Sequence, residues 1–134
     1  MRKLTGLLLV IIVIASGCAK KDDSTKDEFS NSLKLGTGMN ASNFTLTGEG
    51  TVFQQQSTIY FRLESKDDMA GSPVRITVKN LATSLSENYE YPSLQSYGHI
   101  YMSAISAPLP GSYTATGILT TGNKTIAYIN FTVQ

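Results

Sequence analysis

A single cysteine and a single histidine bound the chemistry open to this chain of 134 residues. His99 falls inside a stretch of alternating polarity, and no Gly-x-Ser-x-Gly elbow, His-x-x-x-His pair or glycine-rich phosphate loop accompanies it. Neither a catalytic triad nor a histidine-rich metal site can be assembled from these residues. Paired carboxylates are the remaining route to catalysis, since glycoside hydrolysis needs two of them across the scissile bond. Glu49, Glu64, Glu87 and Glu90 could supply such a pair, and no motif places any two of them across a cleft. Glu64, Asp67 and Asp68 lack the alternating acidic spacing of a calcium loop and read as a solvated turn. The chain is therefore expected to be no enzyme and to need neither metal nor cofactor.

A second grouping is aromatic. Residues 59–64 alternate, with Ile59, Phe61 and Leu63 on one side and Tyr60, Arg62 and Glu64 on the other. Residues 97–105 form a later extended stretch that is semi-apolar on both faces. If the two strands are neighbours, with Ile100, Met102 and Ala104 turned to the core, Tyr60 and Arg62 emerge beside Tyr97, His99 and Tyr101. Those rings, with one guanidinium and one imidazole, would make an outward platform for stacking on a sugar or anchoring a protein.

Cys18 has a different setting. Met1-Arg2-Lys3 gives a basic start, residues 4–14 an apolar run, and Ala15-Ser16-Gly17 a small-residue close before the cysteine. The run is too short for the roughly 20 residues that span a bilayer and has the length of a signal h-region. The segment resembles the signal peptide of a bacterial lipoprotein. That resemblance implies cleavage before Cys18 and acylation of its thiol and new amino group, which would remove it as a nucleophile or metal ligand. A lone cysteine also leaves no intrachain disulfide, so stability must come from a packed core. Residues 19–28 are polar and mixed in charge, the composition of a solvated tether. Within them Lys20, Lys21, Asp22 and Asp23 resemble the surface-export signal of lipoproteins in the Bacteroidetes group. The resemblance implies an outer-membrane address, facing either the cell surface or the periplasm.

The elements that must position any site are strands. Alternation in residues 44–47, 59–64, 74–79, 112–119 and 127–133, with the stretch 97–105, predicts an antiparallel β protein. Residues 121–124 turn the last two strands into a hairpin, and Tyr89-Glu90-Tyr91 suggests a short edge strand stopped by Pro92. Gly111-Ser112-Tyr113-Thr114-Ala115 resembles the tyrosine corner that opens the sixth strand of immunoglobulin-like domains, with Ala115 where antibody domains keep cysteine. The expected fold is an all-β, immunoglobulin-like antiparallel sandwich of about seven strands; a lipocalin-like barrel is the runner-up. The domain map is a signal peptide over 1–17, a lipidated cysteine and flexible tether over 18–41, and the sandwich over 42–134.

From Phe29 onward the chain carries six basic and six acidic residues, so it lacks the basic stripe of a nucleic-acid binder. The function expected is that of a lipid-anchored outer-membrane or cell-surface module, anchored in the membrane by its lipid, that binds or scaffolds an envelope protein or a glycan without catalysis. The alternatives are a small envelope hydrolase using carboxylates and a lipocalin-like carrier of a small apolar ligand.

Overall fold

An extended backbone sends alternate side chains to opposite faces, and in residues 58–64 this buries Ile59, Phe61 and Leu63 completely. The same alternation buries Val74, Ile76 and Val78, and then Tyr113, Ala115 and Leu119. The computed structural model, which describes residues 28–94 and 98–134, contains ten strands. They are β1 (Ser32–Gly36), β2 (Gly38–Asn40), β3 (Thr45–Thr47), β4 (Val52–Phe53), β5 (Thr58–Glu64), β6 (Val74–Asn80), β7 (Ser86–Tyr91), β8 (Ile100–Ser106), β9 (Gly111–Leu119) and β10 (Lys124–Val133).

One sheet has the order β1-β5-β8, and the facing sheet has the order β4-β10-β9-β6-β7. β5 and β6 are consecutive yet lie in different sheets, as do β8 and β9, so the chain crosses the core twice there. In the lettered scheme β1, β5 and β8 are strands A, B and E, and β6, β7, β9 and β10 are C, C′, F and G, an immunoglobulin-like sandwich. Two open sheets stand in place of the closed barrel that a lipocalin-like carrier would need. All main pairings are antiparallel; the two-residue β4 alone runs parallel, beside the end of β10. Seven strands build the layers, and the extra three are β4 and the separate hairpin β2-β3.

The hairpin occupies the point where the first strand leaves one sheet for the other. It folds back so tightly that a Cβ on Gly36 would lie 2.6 Å from the Thr47 carbonyl oxygen, and one on Gly48, at φ +59°, would lie 2.1 Å from Thr37 Oγ1. Only glycine permits that approach. The expected tether of 18–41 therefore runs too far: Leu33 and Leu35 are buried in the core and β1 pairs with β5 along its whole length, so the sandwich begins at Ser32.

Between the sheets the central strands cross where Leu63 rests on Gly117, whose missing Cβ would fall 2.5 Å from Leu63 Cδ1. A register shift between Thr125 and Ala127 lets Ile126 join the core ahead of Phe131 and Val133. Each such aliphatic or aromatic side chain, fully buried, contributes roughly 1.5–3 kcal/mol.

Tyr113 forms the tyrosine corner: its hydroxyl donates to the Leu109 carbonyl at 2.5 Å, while its ring stacks on Phe131 at 5.4 Å. Tyr113→Phe keeps the ring and deletes the bond. It should lower stability by about 0.5–1.5 kcal/mol in a denaturant titration, with an unchanged midpoint counting against the corner's role.

A candidate binding groove at the mouth of the sandwich

The aromatic platform does not assemble. β8 pairs with β5 in the register Leu63↔Tyr101 and Arg62↔Met102, which turns Tyr101 and Ile105 inward rather than Ile100, Met102 and Ala104. The phase is one residue away from the expected one, and a one-residue change sends every side chain to the other face. Tyr101 is 3% exposed, lies parallel to Phe61 at 6.3 Å, and donates its hydroxyl to the Pro92 carbonyl at 2.8 Å. Three consecutive apolar residues, Ile100-Tyr101-Met102, leave the alternation without a phase, and the largest ring takes the core. Tyr60 and Arg62 do lie on the outer face, half-buried. Arg62 is already engaged there, donating from Nε to the Phe44 carbonyl at 2.8 Å and from Nη1 to Glu64. Tyr97 lies outside the described residues, as do Cys18, Lys20, Lys21, Asp22 and Asp23.

His99 belongs to a separate cluster where the chain joins the sandwich. Phe29 stacks on it with ring centroids 4.3 Å apart and planes at 3°, and its Nδ1 lies 3.1 Å from the Ser65 carbonyl oxygen. The Ser30 N–H donates to Glu64 Oε1 at 2.7 Å, and the Lys66 N–H donates to Asn31 Oδ1 at 2.7 Å. Burial alone would raise the Glu64 carboxyl, but the Ser30 N–H, the Arg62 guanidinium and the Ser30 hydroxyl outweigh it and hold it below its ordinary 4.5.

The other carboxylates divide by location. Glu49 pairs with Lys34 at 3.6 Å, Glu90 with Arg75 at 2.5 Å, and Asp67 with Lys124 at 3.1 Å, all on the surface. Asp68 Oδ1 accepts the Ala70 N–H at 2.7 Å, which makes that loop the expected turn. Among the described residues no group of three or more histidine, cysteine, aspartate or glutamate side chains converges as a metal site. Glu87 differs from the rest, because it lines a groove beside Tyr89.

That groove, of about 690 Å³, opens between the β6–β7 turn and the β8–β9 connection. Val78 and Tyr113 form its floor, and Tyr89 and Pro108 its sides. Leu85 and Leu109, 73% and 79% exposed, stand on its rims. Both rims are held from behind. Asn80 Oδ1 accepts the N–H groups of Ala82 and Thr83 at 2.8 and 3.1 Å, while the Asn80 N–H donates to the Leu85 carbonyl at 2.8 Å. On the other side the tyrosine corner seizes the Leu109 carbonyl and so displays the Leu109 side chain. Burial, together with the Glu87 carboxylate, pushes the Tyr89 hydroxyl up to about 12, so it stays a donor at neutral pH.

The groove is the open half of a longer mouth. β7 and β8 are edge strands of the facing sheets, and toward the Phe29 end two hydroxyls bridge the gap: Tyr91 to the Ala104 carbonyl at 2.7 Å, and Tyr101 to the Pro92 carbonyl at 2.8 Å. Burial, with Tyr89 and Tyr101 nearby, raises the Tyr91 hydroxyl well above the usual tyrosine range. Sequence reasoning passes over Leu85 and Leu109. The available signal is a leucine held between Pro108 and Pro110, where neither neighbour can donate to a ladder and no strand can bury it.

Tyr101→Ala should cost about 3–5 kcal/mol in a thermal or denaturant melt, the cost of a large core truncation, whereas an outward platform residue would cost a small fraction of that. Glu64 sets an acid limit. Its folded value is depressed, so its stabilisation is complete above 4.5 and is lost as pH falls through the lower folded value. Glu64→Gln should therefore flatten the decline of Tm below about pH 4.5, and an unchanged slope would assign the decline to other groups. No family model and no curated protein matches this chain.

Proposed function

We propose that this chain is a lipid-anchored protein of the bacterial outer membrane, held through Cys18, whose sandwich binds another polypeptide in the groove between the β6–β7 turn and the β8–β9 connection and performs no covalent step. The observation that carries the reading is the pair of exposed leucines on rigid rims, since contiguous apolar surface marks contact sites while scattered apolar residues do not. Aliphatic rims suit the apolar side chains of a protein better than a sugar, which takes stacked rings.

Strand polarity supports the same assignment. The tether side of the domain holds Phe29, Glu64 and His99. β6 leads away from that end over seven residues to Asn80 on the groove, a rise of about 23 Å. A domain held that way would present its groove away from the membrane.

The test has two arms. In cells making the full chain, a photo-crosslinking amino acid at position 109 should trap a discrete polypeptide, and the same group at position 128 on the outer sheet face should not. Mass analysis of the mature N-terminus should show an acylated Cys18, and Cys18→Ala should leave an uncut precursor. An unmodified Cys18 would remove the anchor, and equal or absent cross-linking at the two positions would remove the groove.

A further inference from the structure

The hydrogen-bond parity of β7 shows what form a partner takes in this groove, if the groove is the binding site proposed above. The Asn80 N–H donates to the Leu85 carbonyl, and β6 and β7 continue in the register Val78↔Glu87, Ile76↔Tyr89 and Val74↔Tyr91. In an antiparallel pair, alternate residues turn both backbone groups toward the partner strand. Glu87, Tyr89 and Tyr91 therefore spend theirs on β6, as does the Leu85 carbonyl while its N–H turns to Thr83 Oγ1, and Ser86, Asn88 and Glu90 point their N–H and C=O groups off the sheet edge. No described strand pairs with that edge.

The side chains follow a matching rule. Glu87 and Tyr89 stand opposite the core residues Val78 and Ile76 and both line the groove, so they share the face that looks across to Pro108 and Leu109. A strand laid along β7 would turn every second side chain onto that face. Glu87 is the one charged residue among those lining the groove.

We infer that an extended segment of a partner protein adds to β7 as a sixth strand, its inward apolar side chains filling the groove between Tyr89 and Leu109 and one lysine or arginine meeting Glu87. Backbone groups supply affinity in such strand addition, and alternate side-chain pockets supply specificity.

Charge and composition choose this occupant over the two nearer ones. A second copy would offer its own β7, Ser-Glu-Asn-Tyr-Glu-Tyr, which brings no cation and would cover Glu87 against neutral or acidic groups. An inward-pointing charge on an edge strand blocks self-pairing of this kind. The chain's own residues 19–28 carry lysines but no apolar side chain larger than alanine, so they leave the groove unfilled.

The probe is a displayed library of random nine-residue peptides, panned against the full chain and against its Glu87→Lys and Leu109→Ser variants. Wild type should enrich peptides that alternate apolar and polar residues around one lysine or arginine. Glu87→Lys should bind those peptides at least ten-fold more weakly and select an acidic residue in their place. Leu109→Ser should weaken them without changing the preferred charge. Adding the best peptide should slow hydrogen exchange at the amides of Ser86, Asn88 and Glu90 and leave those of β4 unchanged. Glu87→Gln, which keeps the shape of the side chain, serves as the folding control and should lose the charge preference with its melting midpoint intact. Enriched peptides with proline at the centre, identical preferences on Glu87→Lys, or unslowed exchange at the three amides would each overturn strand addition. If no peptide is enriched while position 109 still cross-links a polypeptide in cells, strand addition is wrong and the groove remains a binding site.

Discussion

The contact of Leu63 with Gly117 sets the spacing of the whole sandwich. β5 is the middle strand of its sheet and β9 the middle strand of the other, so their crossing fixes how closely the layers approach. A side chain on residue 117 would fall 2.5 Å from Leu63 Cδ1 and force the layers apart. With the layers held there, Ile59, Phe61, Ile76 and Ala115 meet in one apolar interior, and the tyrosines at the mouth reach across to the opposite backbone. Without that reach the edges of β7 and β8 would stand open along their full length. The groove exists because the bridging hydroxyls close only the half near Phe29.

Edges are the recurrent difficulty of a two-sheet architecture, since unpaired strand backbone invites association. This chain treats its edges unequally. The Gly50 N–H covers the Leu35 carbonyl beside β1, and the Tyr91 hydroxyl covers the Ala104 carbonyl of β8. Among the described strands, β7 combines bare backbone groups with a carboxylate that lines the groove.

The sequence announced some of this plainly and concealed the rest for physical reasons. β5, β6 and β9 each bury one clean alternating face, so their position and phase follow from period two alone. The tyrosine corner was legible because a glycine two residues before a tyrosine at a strand start has a fixed geometric use. β1 carries a Leu-x-Leu alternation, but it is short and adjoins a charged segment, and the pull of the core on Leu33 and Leu35 becomes evident only from the pairing with β5. In β8 both faces are apolar, so period two carries no phase, and Met102 ends up 3% exposed on the side opposite Tyr101. The groove was the least legible feature, because its rims come from two turns that meet only after the sheets have packed.

The stacking of Phe29 on His99 has a mechanical meaning. If one end of the chain is fixed in a membrane and a partner holds the other end of the sandwich, tension enters through Phe29 and Ser30 and leaves near Leu85 and Leu109. The load then runs along the strand axes. The β1–β5 ladder, paired over five residues, resists as a block in shear, because its hydrogen bonds must all lengthen together instead of breaking in succession. The ring stack and the Ser30–Glu64 bond act ahead of that ladder as a strain relief, taking up the first displacement before the core feels it.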